Sequence, residues 1–287
     1  MPSAQHGPTD GGRIAVITGA TRGVGKGIAL GLARPGWTIH VTGRTETGPT
    51  SLEATASAVE ARGAVAVAHR CDHADDAQVR EVFARVEAAH GRLDLLVNNV
   101  FAVPAEPIWE RRFWEKPIAL WDQMHTVGLR SHYVASVLGA PMMLATAQQG
   151  GRPLIVHVSS FAGGGYQLDV AYGVGKAALD RMAADMAKEL RSHGVAVVSL
   201  WPGIVRTEWV EQLASPPFPM AVTESPELSG RAVAALADDP EIARRSGQVC
   251  VVAELAEDYG FDDIDGTRPR SLRRRTRPRR QAGEEGG

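Results

Sequence analysis

The chain has 287 residues, 44% of them hydrophobic and 22% charged, which excludes a disordered or fibrous protein and allows a sizeable core. Its formal net charge of −2 gives no global attraction to nucleic acid or to a membrane surface. Only two cysteines, Cys71 and Cys250, are present, which excludes a disulfide framework and fits a reducing compartment.

In chain order, residues 1–12 (MPSAQHGPTDGG) read as a flexible leader without the apolar run of a signal peptide. Seven short apolar runs follow, at 13–18, 38–42, 64–70, 93–98, 153–159, 195–200 and 247–252. They are apolar on both faces, as buried parallel strands are. Helical patterns alternate with them near 24–34, 51–62, 75–90, 118–148, 171–193 and 226–237. This alternation predicts an α/β, Rossmann-type doubly wound parallel sheet of about seven strands, with helices on both faces. No linker or repeat divides it, so residues 13–267 are expected to form one domain. No stretch approaches the roughly 20 apolar residues of a membrane span, and a cytoplasmic location is expected.

Two stretches break the alternation. Residues 101–121, FAVPAEPIWERRFWEKPIALW, carry Trp109, Trp114 and Trp121 and are long for a strand–helix connection; loops of that length are often functional. Residues 268–287 hold eight arginines and no apolar run. They are expected to be a disordered, solvated tail with no specific nucleic-acid partner.

The chemistry begins at the first strand–helix junction, VITGATRGVGKGIALGLA. Gly19, Gly23 and Gly25 are spaced G-x-x-x-G-x-G, and with Thr21, Arg22 and Val24 they form a candidate phosphate cradle. Glycine there permits positive φ and lets backbone N–H groups approach a diphosphate at a helix N-terminus. After the second strand, NAD-preferring sites usually place an acid for the ribose 2′-hydroxyl. Here Gly43 and Arg44 stand instead, with Arg22 as a second cation, and two guanidinium groups suit a 2′-phosphate. The expected cofactor is NADP(H) rather than NAD(H).

Further on, AYGVGKAALD places Tyr172 and Lys176 at i and i+4, on one face of a helix. An ammonium beside a phenol lowers its pKa from the ordinary value near ~10 toward a useful acid–base range. Upstream, VHVSSFAGG offers Ser159 and Ser160 to a substrate carbonyl oxygen.

Taken together, TGATRGVG, Asp72, the NN pair at 98–99, SS at 159–160, YGVGK and PGIVRT at 202–207 resemble the short-chain dehydrogenases/reductases, in that family's order and spacing. The resemblance implies NADPH-dependent reduction of a ketone or aldehyde, a bulky apolar or steroid-like one among the family's substrates. It implies that Tyr172 is the general acid and that Lys176 tunes it and holds the nicotinamide ribose. Phe161-Ala162-Gly163 favour Ser160 as the substrate-orienting residue, whereas spacing to the tyrosine favours Ser159. By the same resemblance Asp72 contacts adenine, Asn98 lies near the adenine ribose, and Thr207 fixes the carboxamide. Pro202 and Gly203 flank the nicotinamide, with Val205 among the cofactor contacts. Pairing through long helices, as in the family, implies a homodimer or homotetramer.

Two positions depart from the family pattern. Gly128 stands where most members carry an asparagine that positions a relay water. A backbone carbonyl, or a water held by His125 or Thr126, is the alternative route, although His125 reads first as a helix-surface histidine. The usual NNAG is NNVF, which places Phe101 beside the site, where it, Trp109 and Trp114 are expected to form an apolar lid. These departures motivate the rival reading of a catalytically idle NADP(H)-binding or scaffold protein.

Overall fold

The computed structural model describes residues 12–103, 111–213, 216 and 218–273. The leader to residue 11, Trp109, and the tail from residue 274 lie outside the described residues.

All seven apolar runs form strands of one sheet: β1 (Arg13–Ile17), β2 (Trp37–Gly43), β3 (Val65–Arg70), β4 (Leu95–Asn98), β5 (Leu154–Val158), β6 (Ala196–Trp201) and, later in the chain, β9 (Val249–Val251). Their order is β3-β2-β1-β4-β5-β6-β9, every pairing parallel. β7 (Ile204–Val205) and β8 (Thr223–Glu224) form a separate parallel pair. The order reverses direction between β1 and β4, and the crevice beyond their carboxyl ends is where such a sheet binds ligands.

Alternation along the strands divides the core into two layers. Ala15, Ile17, Val97, Val156 and Val198 face one side and pack with Ile28 and Leu32 of α1 (Gly23–Leu32). The same layer takes Leu228 and Val233 of α8 (Pro226–Asp238). Val16, Leu96, Ile155 and Val197 face the other side. They meet Phe83 of α3 (Asp76–His90), Met143 of α5 (Ser131–Gln148) and Ala183 of α6 (Val170–Leu190). Each fully buried aliphatic side chain of this kind contributes about 1.5–3 kcal/mol.

Side-chain caps set several helix starts. Ser51 caps α2 (Leu52–Glu60), Asp75 caps α3, and Ser225 caps α8, whose first residue is Pro226. α1 and α8 touch backbone to backbone: a Cβ on Gly27 would lie 2.1 Å from the Pro226 carbonyl oxygen. One on Gly230 would lie 2.2 Å from the Gly27 oxygen, and one on Gly31 2.3 Å from the Gly230 carbonyl carbon.

Two details differ from the sequence expectation. The long helix near 118–148 is α4 (Ile118–His125), a π-helical turn (Thr126–Arg130) and α5, with Gly128 inside the turn. Two further helices appear, α7 (Glu208–Glu211) and α9 (Val252–Tyr259). The first residues of the arginine-rich stretch also make contacts with the body. Arg268 donates to Asp262 at 2.8 Å, Ser271 to Glu254 at 2.7 Å, and Arg273 to the Val249 carbonyl at 3.1 Å. The Arg268 and Arg273 guanidinium groups find carboxylates on the body, while Arg268 and Arg270 stay exposed. Among the described residues no helix is long and apolar enough to cross a membrane.

Candidate active site

The glycine turn closes β1 and opens α1. Gly19 (φ +67°) and Gly23 (φ +55°) sit in the left-handed region, which side chains other than glycine rarely adopt. Gly25 leaves its room to the backbone, since a Cβ there would lie 2.3 Å from the Gly19 oxygen. Asn99 braces the turn: its Nδ2 donates to the Thr18 and Gly19 oxygens at 2.9 and 3.0 Å. The Thr18 hydroxyl accepts the Asn99 and Val100 N–H groups in return. Above the turn is a cavity of about 300 Å³ lined by Thr21, Arg22, Val24, Arg44, Asp72 and Asn99, among others. Arg44 and Asp72 stand 3.9 Å apart at its rim, with the Arg44 side chain three-quarters exposed.

A second cavity of about 280 Å³ shares Val24, Asn99, Phe101 and Thr207 with the first. Its remaining wall includes Ser159, Ser160, Tyr172, Lys176, Pro202, Gly203 and Val205. Asp169 caps α6 and accepts the Tyr172 N–H at 3.1 Å, fixing the first turn that carries the phenol. The same carboxylate forms a buried ion pair with Lys116, which ties the 111–117 segment to that helix start. Leu168, just before the cap, lines the cavity with φ +63°, a strained backbone for leucine.

The two serines separate by where strand β5 ends. Ser159 is buried and its hydroxyl donates to the Lys176 carbonyl at 3.0 Å. Ser160 caps the 3-10 turn Phe161–Gly163, and its hydroxyl is hydrogen-bonded with Tyr172. Burial pushes the Tyr172 hydroxyl above the ordinary phenol value, and the Ser160 hydrogen bond works against that. The lowering expected from Lys176 is therefore not the direction found. Lys176 Nζ donates to the Val158 carbonyl at 3.0 Å and lies 5.6 Å from the Tyr172 ring centre. Burial brings the Lys176 ammonium down to about 8, with Asp180 opposing.

The family model for short chain dehydrogenase matches residues 13–217, the span that carries both cavities. The chain belongs to the short-chain dehydrogenases/reductases. It is accordingly an oxidoreductase whose fold binds a nicotinamide cofactor. This short-chain dehydrogenase/reductase is 44% identical over 270 residues to mouse dehydrogenase/reductase SDR family member 1, covering 89% of this chain and 84% of the relative. The human protein of that name is 43% identical over the same shares. A solved 3-oxoacyl-[acyl-carrier protein] reductase from Brucella melitensis, in complex with NAD, superposes with a TM-score of 0.76 at 24% identity. That alignment covers 85% of this chain and 96% of the other, and it shows the shared fold.

Within this family frame, one candidate stands apart. Asn98 is wholly buried, its Nδ2 donating to Ser136 at 2.9 Å, and it lines neither cavity. Successive side chains at a strand end point to opposite sides, so Asn99 takes the cleft side. Trp114 is 69% exposed on the 111–117 segment, whereas Phe101 packs edge-on against Tyr172 at 5.7 Å. Of the two lid residues described, Phe101 and Trp114, it is Phe101 that meets Tyr172 and Lys176. His125 is held by the Trp121 carbonyl through Nδ1 at 2.8 Å, while its Nε2 is buried toward Gly175. Sequence reasoning passed over Glu208, whose carboxylate accepts the Gly23 N–H at 2.9 Å, and Glu224, which accepts the Gly203 N–H at 2.9 Å. Glu208 directly follows PGIVRT, and that adjacency was its one visible signal.

The residues present fit a nicotinamide dinucleotide. The cradle at Gly19, Gly23 and Gly25 is backbone-lined and shaped by absent side chains, and the helix N-terminus there attracts an anion. Thr21, Arg22, Arg44 and Asp72 stand at one end of the double cavity, Tyr172, Lys176, Gly203 and Val205 at the other, and Val24 and Thr207 on the wall between.

Proposed function

We propose that this enzyme reduces a ketone or aldehyde carbonyl to an alcohol at the expense of NADPH. The observation that carries the reading is the convergence of Ser160, Tyr172 and Lys176 on one cavity that shares a wall with the glycine cradle. A bound nicotinamide dinucleotide supplies the hydride. Arg22 and Arg44 hold the 2′-phosphate end, where no carboxylate follows β2 directly, which favours NADP(H) over NAD(H). Asp72 borders the adenine end, Lys176 holds the nicotinamide ribose, and Thr207 fixes the carboxamide. Ser160 donates a hydrogen bond to the substrate carbonyl oxygen, and Tyr172 gives that oxygen its proton. A phenol pushed above its ordinary pKa is protonated at neutral pH, the state an acid for reduction needs.

The cavity beside Tyr172 is lined by Phe101, Val103, Leu168, Trp209 and Val210, which supports a bulky apolar substrate such as a steroid-like ketone. The reading includes a cytoplasmic protein built on one domain from residue 13 to about 267. It also includes a homodimer or homotetramer; Tyr133 and Val137 of α5 and Val174 of α6 are exposed apolar side chains available to a second copy.

The decisive experiment compares Tyr172→Phe with the unaltered chain for NADPH oxidation over a ketone panel and for NADPH binding by fluorescence. Turnover is expected to drop by roughly a hundredfold or more with binding retained; unchanged turnover would overturn the mechanism. A second reading, an idle NADP(H)-binding or scaffold protein, is favoured by the packing of Phe101 against Gly128 over Lys176. NADPH binding by the unaltered chain without turnover of any ketone would select it.

A further inference from the structure

Glu224 is a buried acid that the proposed chemistry does not use. It is 2% exposed, at the end of the two-residue strand β8 and directly before Ser225, the cap of α8. Its Oε1 accepts the Gly203 N–H at 2.9 Å. The fit is close, because a Cβ on Gly203 would lie 2.4 Å from Oε2. Gly203 and Pro202 form the turn between β6 and β7 and line the cavity of Tyr172 and Lys176.

The carboxylate stands on a firm base. The Glu224 carbonyl accepts the Arg206 N–H at 2.8 Å, pinning β8 to β7. Ser225 is held through its N–H, at 2.8 Å, and its hydroxyl by the buried Asp263 carboxylate. The α8 anchor is thus fixed, and among the described residues the Glu224 side chain is hydrogen-bonded to the turn.

We infer that Glu224 is a positioning residue: by holding the Gly203 N–H it sets the Pro202–Gly203 turn at the reactive end of the cavity, and its protonation state decides how tightly the turn is held. This rests on the reading of that cavity as the nicotinamide end. An ionised carboxylate makes the stronger, charge-assisted hydrogen bond, and the neutral acid a weaker one. Burial raises Glu224 to about 7; the Gly203 N–H acts in the opposite direction, and the nearby Asp263 adds to the rise. Two nearby arginines have partners of their own. Arg206 of β7 donates to the Thr223 hydroxyl, and Arg231 of α8 donates to the backbone carbonyls of Asp262 and Asp263. The change of state therefore falls at neutral pH, where the turn is held tightly above about 7 and loosely below.

The test measures the Kd of the full chain for NADPH, by fluorescence, from pH 5.5 to 8.5, alongside Glu224→Gln and Glu224→Asp. The unaltered chain is expected to bind about fivefold more tightly above the transition near neutrality than below it. Glu224→Gln keeps an acceptor but cannot ionise, so that step disappears while any dependence from Lys176 remains. Glu224→Asp restores a pH step, displaced. Persistence of the same step in Glu224→Gln, or its absence from the unaltered chain, overturns the inference. If the chain binds no NADPH at any pH, the functional reading fails separately. The Gly203 amide is then followed by NMR across the same range: a shift centred near neutrality upholds the role of Glu224, and a flat amide overturns it. The same amide titration on the unaltered chain decides the matter if Glu224→Gln fails to fold.

Discussion

The ring of Phe101 lies where a side chain on Gly128 would have to go: a Cβ at position 128 would come within 2.6 Å of Phe101 Cδ2. The same ring stands edge-on to Tyr172 at 5.7 Å, and Lys176 Nζ lies 5.2 Å from its centre. The two departures from the family pattern, NNVF and the missing asparagine, are therefore one packing arrangement. Lys176 Nζ also donates to the Val158 carbonyl at 3.0 Å.

Gly128→Ala should therefore displace Phe101 and disturb Tyr172 and Lys176. Ketone reduction is expected to fall roughly ten- to a hundredfold, as misplacement by about an ångström does, with the NADPH Kd little changed. Adding Phe101→Leu should recover part of the loss. Steady-state kinetics on the two variants checks this, and an unimpaired Gly128→Ala enzyme would show that the ring yields freely.

Arg22 and Arg44 both line the cavity above the glycine turn, where the proposed function puts the 2′-phosphate. Replacing both with alanine should weaken NADPH by roughly a hundredfold or more while leaving NADH within a fewfold, since each charge-assisted contact contributes on the order of 1.5–3 kcal/mol. Equal loss for the two cofactors would place the arginines elsewhere in recognition.

Glu208 sets a carboxylate on the Gly23 N–H, at the helix N-terminus where a diphosphate is expected. The two anions compete for the same donors, so Glu208→Gln should tighten NADPH binding severalfold, on the order of the 1 kcal/mol that like charges cost at such range. Isothermal titration of the variant reads this directly; weaker binding would mean that the carboxylate supports the cradle.

Acid should destabilise the fold through its buried histidines. Burial holds His40 down to about 3 and His69, His73 and His157 down to about 4. His40 is hydrogen-bonded to His69 at 2.8 Å and to His90 at 3.0 Å, and His73 to Thr42 at 2.7 Å. Their folded pKa values lie below the unfolded value of about 6.5, so the unfolded chain takes up protons first as pH falls. Stability is full above about pH 6.5 and is lost as pH falls toward 4, by up to roughly 1.4 kcal/mol per pH unit for each ring. Urea midpoints at pH 7, 6 and 5 should fall steeply; a constant midpoint would count against neutral buried rings.

The seven strands were legible because a central parallel strand must be apolar on both faces, and little else in the chain is. Tyr172 and Lys176 were legible because a four-residue spacing on a helix places both on one face. α9 was not, since Val252 follows β9 with no capping side chain or glycine to mark the change. The π-helical turn was hidden because one extra residue per turn barely alters the apolar period. Asn98 and Asn99 carry identical side chains, and only the place where β4 ends decides which faces the cleft. Glu224 was invisible for a different reason: nothing local marks a carboxylate whose partner lies 21 residues away.

The contact of α1 with α8 has a mechanical meaning. With no layer of side chains between them, the glycine-bearing faces of the two helices move as one beam. Gly23 opens α1 beside Thr207, and Ser225 opens α8 directly after Thr223 and Glu224. Thr207 and Thr223 are thus both anchored beside the same helix pair. The glycine cradle and these two anchor points therefore share one rigid support, which fixes the spacing between them.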